Sequence, residues 1–301
     1  MTIGYNKSLF ILPFDHRSSF LRDMLGVVGE ATSDDINQVK DLKYLIYEGF
    51  KLGVELGIPK NEAAILVDEE FGDQILQEAK QLGYHFCLST EKSGQEEFTL
   101  AYGDDFVQHI EKYKPTFVKA LIRYNPEGDK KLNIRQQSKL KDLSDWCHKN
   151  DYKFLIEPLV PAMSEQLSLV GDSQERYDNE LRPGLEVGMI KELQNAGVEV
   201  DIWKIEGFVD STSYVRVVEQ AKSGGRSNVG VIVLGRGQNK EQVGKWVRAG
   251  AQTNGVTGFA IGRTVFWQPL VDFRSGKISR ELAARQIAEN YFSFYNIFIS
   301  E

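Results

Sequence analysis

The sequence predicts a TIM (β/α)8 barrel that spans residues 1–301 as a single α/β domain. Three observations predict it. The chain has 301 residues, enough for the ~250 typical of that fold. Eight short apolar runs alternate with longer amphipathic segments, as a parallel sheet joined by helices requires. The rival architecture, a doubly wound open sheet, usually carries a glycine-rich turn after an early strand, but the first strand here ends "FDHRSSF" with no G-x-G-x-x-G.

The expected strands are Leu9–Phe14, Ala64–Val67, His85–Leu88, Phe117–Ile122, Phe154–Leu159, Asp201–Ile205, Val229–Leu234 and Gly258–Ile261. Between them "DINQVKDLKYLIYEGFKLGVELG", "RQQSKLKDLSDWCHKN", "LEVGMIKELQNAG" and "KEQVGKWVRAGA" carry helical spacing. The last two close with Gly at or soon after the final turn, a common helix stop. The tail "ENYFSFYNIF" reads as a helix packed on the barrel or at a subunit contact.

Apolar residues make up 42% and charged residues 26%, the balance of an ordinary globular protein. The net charge of −7 disfavours broad binding of nucleic acid or an anionic membrane. No stretch approaches the ~18 apolar residues of a membrane span. The start has no secretory pattern, and Cys87 and Cys147 belong to no Cys/His cluster. These features point to a cytoplasmic, reduced protein with two inert packing thiols.

In such a barrel, chemistry belongs at the C-terminal ends of the strands. Side chains alternate along a strand. In "DIWKIEG", Lys204 and Glu206 therefore share a face with Ile202, opposite Trp203 and Ile205. Lys119 shares its face with Leu121 and Arg123, and Glu157 with Leu155 and Leu159. Two lysines and a glutamate should thus meet inside the barrel from strands four, five and six. One reading is a structural ion network, since buried charges must be paired. The other is Schiff-base catalysis, because an amine in a low-dielectric interior beside a second cation loses its proton readily and a nearby carboxylate can shuttle protons. Spacing alone leaves both open.

The turns "LGRGQNK" and "IGRTVF" follow strands seven and eight, where many barrels hold phosphate through backbone N–H groups. Gly235, Arg236, Gly237, Gly262 and Arg263 are the candidates there, against ordinary turns with solvated arginines. Asp15 and Arg17, at the end of strand one, suit substrate hydroxyls or a salt link at the barrel mouth; His16 reads as a polar rim residue. Asp68, in "VDEEFG", suits hydroxyl binding or a salt link to Lys119 or Lys204, with a divalent metal on Asp68 and Glu69 as the lesser alternative.

Taken in order, "LPFDHRSSF", "ILVDEEFG", "FVKALIRYNPEGD", "FLIEPLVP", "DIWKIEG", "GVIVLGRG" and "GFAIGRTVF" cover nearly the whole chain. Together they resemble the aldolase-like domain found C-terminal to the 5-dehydro-2-deoxygluconokinase of inositol catabolism. More distantly, they resemble the class I tagatose-1,6-bisphosphate and sulfofructose-phosphate aldolases. The resemblance implies a (β/α)8 barrel that cleaves a ketose phosphate through a lysine Schiff base, without metal or other cofactor. It implies Lys204 as the imine lysine, Lys119 and Glu157 as its strand-four and strand-five partners, Asp15 and Arg17 as the opening D-x-R pair, and Gly262-Arg263 as the phosphate turn. The third-strand loop departs from the inositol type: "CLSTEKSG" has Ser89 and Thr90 where an arginine precedes a proline there. The kinase half is absent, so a stand-alone form that does not phosphorylate its own substrate is expected.

The expected catalytic set is Lys204, Glu157, Lys119 and Asp15. Arg17, Asp68, Glu206, Gly235, Arg236, Gly237, Gly262 and Arg263 are expected to bind substrate. The best-matched substrate is 5-dehydro-2-deoxy-gluconate 6-phosphate; the alternatives are another ketose phosphate, or a non-catalytic phosphosugar-binding barrel. The expected partner is a phosphorylated sugar, with room for a homo-oligomer.

Overall fold

The computed structural model describes residues 2–301 and closes eight parallel strands into a barrel in which β8 returns to β1. The strands are β1 Leu9–Pro13, β2 Ala63–Val67, β3 His85–Ser89, β4 Phe117–Arg123, β5 Lys153–Leu159, β6 Ile202–Glu206, β7 Gly230–Leu234 and β8 Val256–Ala260. All eight lie where the apolar runs placed them, with ends displaced by one or two residues.

Nearly every strand residue is buried, because the barrel core covers one face and helices cover the other; that is why the strands read as unbroken apolar runs. The inward set includes Leu9, Ile11, Cys87, Phe117, Leu155 and Ile202, which form an apolar plug in the barrel. The outward set packs under the helices and includes Val118, Ala120, Phe154, Ile156, Trp203 and Ile205. This is the alternation expected for strands four, five and six, and it turns Lys119, Glu157 and Lys204 inward above the plug.

The helices start at side-chain caps. Thr32 and Asp35 form a reciprocal capping box at the start of helix Ser33–Glu55, and Asp129, Asp210, Asn239 and Ser279 each accept a backbone N–H at the start of theirs. Gly197 (φ +79°) follows helix Arg182–Asn195 as the expected stop. Gly250 differs: it lies inside helix Lys240–Ala251, where a Cβ would come within 2.7 Å of the Val233 side chain. It permits close helix-to-strand packing and ends nothing.

The tail forms helix Arg280–Ile299 and packs on the barrel. It lies against helix Ser33–Glu55, with Ile287 over Gly49, and Tyr291 donates its hydroxyl proton to the Phe10 carbonyl of β1. At the opposite end of the barrel from the site, Asp201 accepts from the N–H groups of Gly4 (2.7 Å) and Phe154 (2.8 Å), and from Lys153 and His148 (both 2.9 Å). That carboxylate pins the N-terminal segment to the bases of β5 and β6. After β5 the chain makes an excursion over residues 160–181 with a small core of its own, which includes Val160, Val170 and Tyr177. Among the described residues, no helix is long and apolar enough to cross a membrane.

Candidate active site

A cavity of about 510 Å³ opens at the C-terminal ends of the strands. Asp15, Glu157, Lys204, Gly237 and Arg263 lie in its wall, with the 91–99 loop on one side. The position agrees with the general placement of barrel chemistry.

The register brings the central charges together. Lys119 pairs with Leu155 and Leu121 with Glu157 across β4 and β5, while Leu155 pairs with Ile202 across β5 and β6. Lys204 and Glu157 each stand two residues further along the 155–202 pair, so they are neighbours on the inner face. Glu157 Oε2 lies 2.8 Å from Lys204 Nζ and 3.0 Å from Lys119 Nζ. One carboxylate oxygen therefore bridges both ammonium groups.

The two lysines are not equivalent. Lys119 has no exposed surface and is ringed by three carboxylates: Asp15 at 2.8 Å, Glu91 at 2.7 Å and Glu157 at 3.0 Å. Burial opposes its charge, but Asp15, Glu157 and Glu91 outweigh that and hold its pKa well above the usual lysine value. Lys119 is thus a fixed ammonium beneath the cavity wall. Its protons face three carboxylates, which leaves none for a substrate oxygen. Lys204 has a single carboxylate partner, Glu157, and lies in the wall itself.

The carboxylates respond in kind. Burial favours protonated Asp15, yet Lys119 and then Lys204 override it and hold the group far below the usual range. For Glu157 burial is again the largest influence, and the same two ammonium groups overcome it and lower the pKa. Glu91 goes the other way: burial wins over Lys119 and raises it. Glu91 is the residue that the sequence reading left outside the site. Its signal was an acidic residue just past strand three, and what turns it inward is an isolated bridge between Glu91 and Leu100 that folds the loop back.

Arg17 lines the cavity. Its guanidinium donates to the Glu91 carbonyl and lies 3.9 Å from the Glu91 carboxylate, while its buried Nε has no partner. His16 also belongs to the wall rather than to a solvated rim, and burial pushes its imidazole down to about 4, so it is neutral at neutral pH.

Seven further expectations separate on inspection. Gly237 (φ +71°) lines the cavity under the Arg263 guanidinium, where a Cβ would come within 2.7 Å of it. Arg263 itself donates to the Arg236 carbonyl at 3.3 Å and forms no ion pair among the described residues. It is a free cation over a turn whose backbone can approach an anion. Gly262 also lines the wall, and a Cβ there would strike the Pro13 carbonyl oxygen at 2.2 Å, so close approach of β1 requires glycine.

The others are corrected. Gly235 stays out of the cavity wall, and a Cβ there would come within 3.1 Å of the Ile261 side chain. Arg236 is no free anion ligand: it pairs with Asp178 at 2.8 Å and with Glu206 at 2.9 Å. Glu206 spends its other oxygen on the Val160 N–H at 3.0 Å, so both of its oxygens brace the cavity wall. Asp68 lies away from the cavity, buried in an ion pair with Lys43 and capping helix Glu69–Leu82 through the Phe71 N–H at 2.9 Å. It reaches neither Lys119 nor Lys204, because the first helical turn and Lys43 occupy both of its oxygens. Glu69 pairs with His109 and Lys112. Asp68 and Glu69 therefore face different partners, and the convergence that a shared metal needs is missing.

The fold and site together define a closed (β/α)8 barrel with a lysine–carboxylate cluster at the C-terminal ends of its strands. A family model described as "Uncharacterized protein conserved in bacteria (DUF2090)" matches residues 4–300, and the chain belongs to that family. Among curated proteins it is similar to tagatose 1,6-diphosphate aldolase 1 of Streptococcus pyogenes serotype M3, with 25% identity over 225 residues, 68% of this chain and 63% of the relative. It is also similar to tagatose 1,6-diphosphate aldolase of Listeria monocytogenes serotype 4b, with 25% identity over 200 residues, 65% of this chain and 54% of the relative. The chain thus spans less than two thirds of the length of these relatives. Among solved structures, a Schiff base-forming fructose-1,6-bisphosphate aldolase superposes with a TM-score of 0.57 at 17% identity and covers 94% of each chain. A fructose-bisphosphate aldolase from Slackia heliotrinireducens gives a TM-score of 0.57 at 10% identity, over 94% of this chain and 86% of the other. Those two likenesses confirm the barrel.

Proposed function

We propose that this barrel is a class I aldolase, a carbon–carbon lyase that cleaves a phosphorylated keto-sugar or keto-sugar acid through an imine on Lys204. The observation that carries the reading is the single Glu157 oxygen held 2.8 Å from a cavity-lining lysine and 3.0 Å from a fully buried one ringed by carboxylates. Such a carboxylate can take the ammonium proton of Lys204 while Lys119 keeps the site's charge balanced.

The steps follow from these roles. Lys204 Nζ, relieved of a proton by Glu157, adds to the substrate carbonyl carbon. Water leaves the carbinolamine with a proton returned by the carboxyl group, giving an iminium ion. Glu157 then removes the proton of the β-hydroxyl, the bond between the α and β carbons breaks, and its electron pair passes to the iminium nitrogen. An aldehyde departs and an enamine remains. Protonation at the α carbon and addition of water release the ketone product and restore the amine. Glu157 Oε1 makes no protein hydrogen bond among the described residues and is available for these transfers.

Arg263 and the Gly237 turn hold the phosphate, and Asp15 and Arg17 contact the polar groups near the reacting carbons. The motif resemblance favours 5-dehydro-2-deoxy-gluconate 6-phosphate, cleaved to dihydroxyacetone phosphate and malonate semialdehyde, over the tagatose-bisphosphate and sulfofructose-phosphate types. Borohydride reduction in the presence of dihydroxyacetone phosphate, followed by peptide mass mapping, tests the core of the proposal. An adduct on Lys204 is expected. Its absence, together with unimpaired cleavage by Lys204→Ala, overturns it.

A further inference from the structure

Behind β6, the side chains of Arg182, Asp178 and Arg236 close a ring with Glu206, which joins it through its carboxylate and its backbone carbonyl. Arg182, at the start of helix Arg182–Asn195, donates Nη1 to the Glu206 carbonyl at 3.1 Å and Nη2 to the Gly207 carbonyl at 2.8 Å. Its Nε meets Asp178 Oδ1 at 3.2 Å. Asp178 Oδ2 meets Arg236 Nη1 at 2.8 Å, and Arg236 Nε meets Glu206 Oε1 at 2.9 Å. The circuit therefore runs from Arg182 through Asp178, Arg236 and Glu206 back to Arg182.

Arg182 is 1% exposed, stacks its guanidinium 4.9 Å over the Phe208 ring, and is anchored from the far side by the buried Glu186 at 2.8 Å. On the opposite flank, Gly207 lies so close to the Trp246 ring that a Cβ would come within 2.5 Å. A buried arginine is costly to desolvate, and this one directs two of its nitrogens at the carbonyls two and three residues beyond Lys204. For a fold-stabilising role alone, any well-packed apolar side chain would suffice. Geometry at two adjacent carbonyls needs the rigid guanidinium fork.

We propose that Arg182 is a positioning residue that acts through the end of β6 to hold Lys204 Nζ in line for imine formation. The ring also joins that strand end to the excursion after β5 and, through Arg236, to the anion turn after β7, so the imine lysine and the phosphate site share one rigid frame. This inference rests on the aldolase reading of Lys204.

The test compares wild type and Arg182→Lys by the rate of borohydride trapping with saturating dihydroxyacetone phosphate, expressed per folded molecule from a thermal melt. Lysine keeps the charge but offers a single point where a fork is needed. The trapping rate and kcat are expected to fall on the order of 10- to 100-fold, because small misplacements of a reacting group cost that much, while KM changes far less. Glu186→Ala is the second, milder variant: it removes the acceptor that anchors Arg182 from the far side, and a smaller fall is expected. An unchanged rate per folded molecule in either variant, with the wild-type adduct on Lys204, overturns this inference alone. A wild type that forms no adduct on Lys204 overturns both the inference and the aldolase reading.

Discussion

Glu157 reaches Lys204 with the same oxygen that it offers Lys119, at 2.8 and 3.0 Å. Replacing Glu157 with Gln keeps the shape and removes the proton acceptor. Its kcat is expected to fall on the order of 10²- to 10⁴-fold with little change in KM, and the borohydride adduct should form more slowly. Steady-state kinetics beside single-turnover trapping measures both.

Lys119 holds three buried carboxylates apart from one another's charge. Lys119→Met leaves Asp15, Glu91 and Glu157 facing each other without their cation. Breaking a buried ion pair in this way costs about 3–5 kcal/mol, read by chemical denaturation at neutral pH. The lost stability should be partly regained at lower pH, since protonation of those carboxyls removes their repulsion.

Arg263 is a cavity-lining cation with no ion pair among the described residues, and it lies beside the Gly237 turn. Arg263→Ala removes a charged donor worth about 1.5–3 kcal/mol, so KM for a phosphorylated substrate should rise roughly 10- to 100-fold. Competitive inhibition by inorganic phosphate should weaken in parallel. An unaltered inhibition constant would place the phosphate elsewhere.

Asp68 separates cap from ligand. Asp68→Ala leaves Lys43 buried without its partner and should cost about 3–5 kcal/mol of stability, with KM of the remaining folded enzyme unchanged. A selective rise in KM at full stability would return Asp68 to the substrate.

Asp201 makes the opposite end of the barrel acid-sensitive. Burial raises its pKa, but His148, the Phe154 N–H, Lys153 and the Gly4 N–H overcome that and lower it. A lowered folded-state value means that the stabilisation is complete above the ordinary aspartate value near 4 and is lost as pH falls through the folded-state value. Asp201→Asn should be less stable at neutral pH, and its stability should fall less between neutral pH and acid than that of the wild type. Urea titrations at several pH values show the difference.

The inward turn of Lys119, Glu157 and Lys204 was legible in the sequence because a strand has a period of two and the neighbours of each residue were apolar. Position along the strand likewise placed Asp15, Gly237 and Arg263 at the mouth. The partners of these groups were not legible. Arg236 and Arg263 read alike in "GRG" and "GRT", yet only tertiary contact hands Arg236 to Asp178 and Glu206 and leaves Arg263 free. Asp68 looked like a mouth residue because it follows a strand directly, and helix capping together with Lys43 from a different helix drew it away. Glu91 lay in a loop with no periodicity to assign it a direction.

By itself, then, the sequence determined the barrel, the strands that carry Lys119, Glu157 and Lys204 and the face to which each of these turns, since these follow from local periodicity and the need to bury apolar surface. Only the tertiary structure decided which charges neutralise one another. Ion pairing depends on side chains that meet across strands far apart in the chain, such as Asp15 and Lys119, and the difference between Lys119, locked beneath the cavity wall by three carboxylates, and Lys204, in the wall with one, comes from how many close around each.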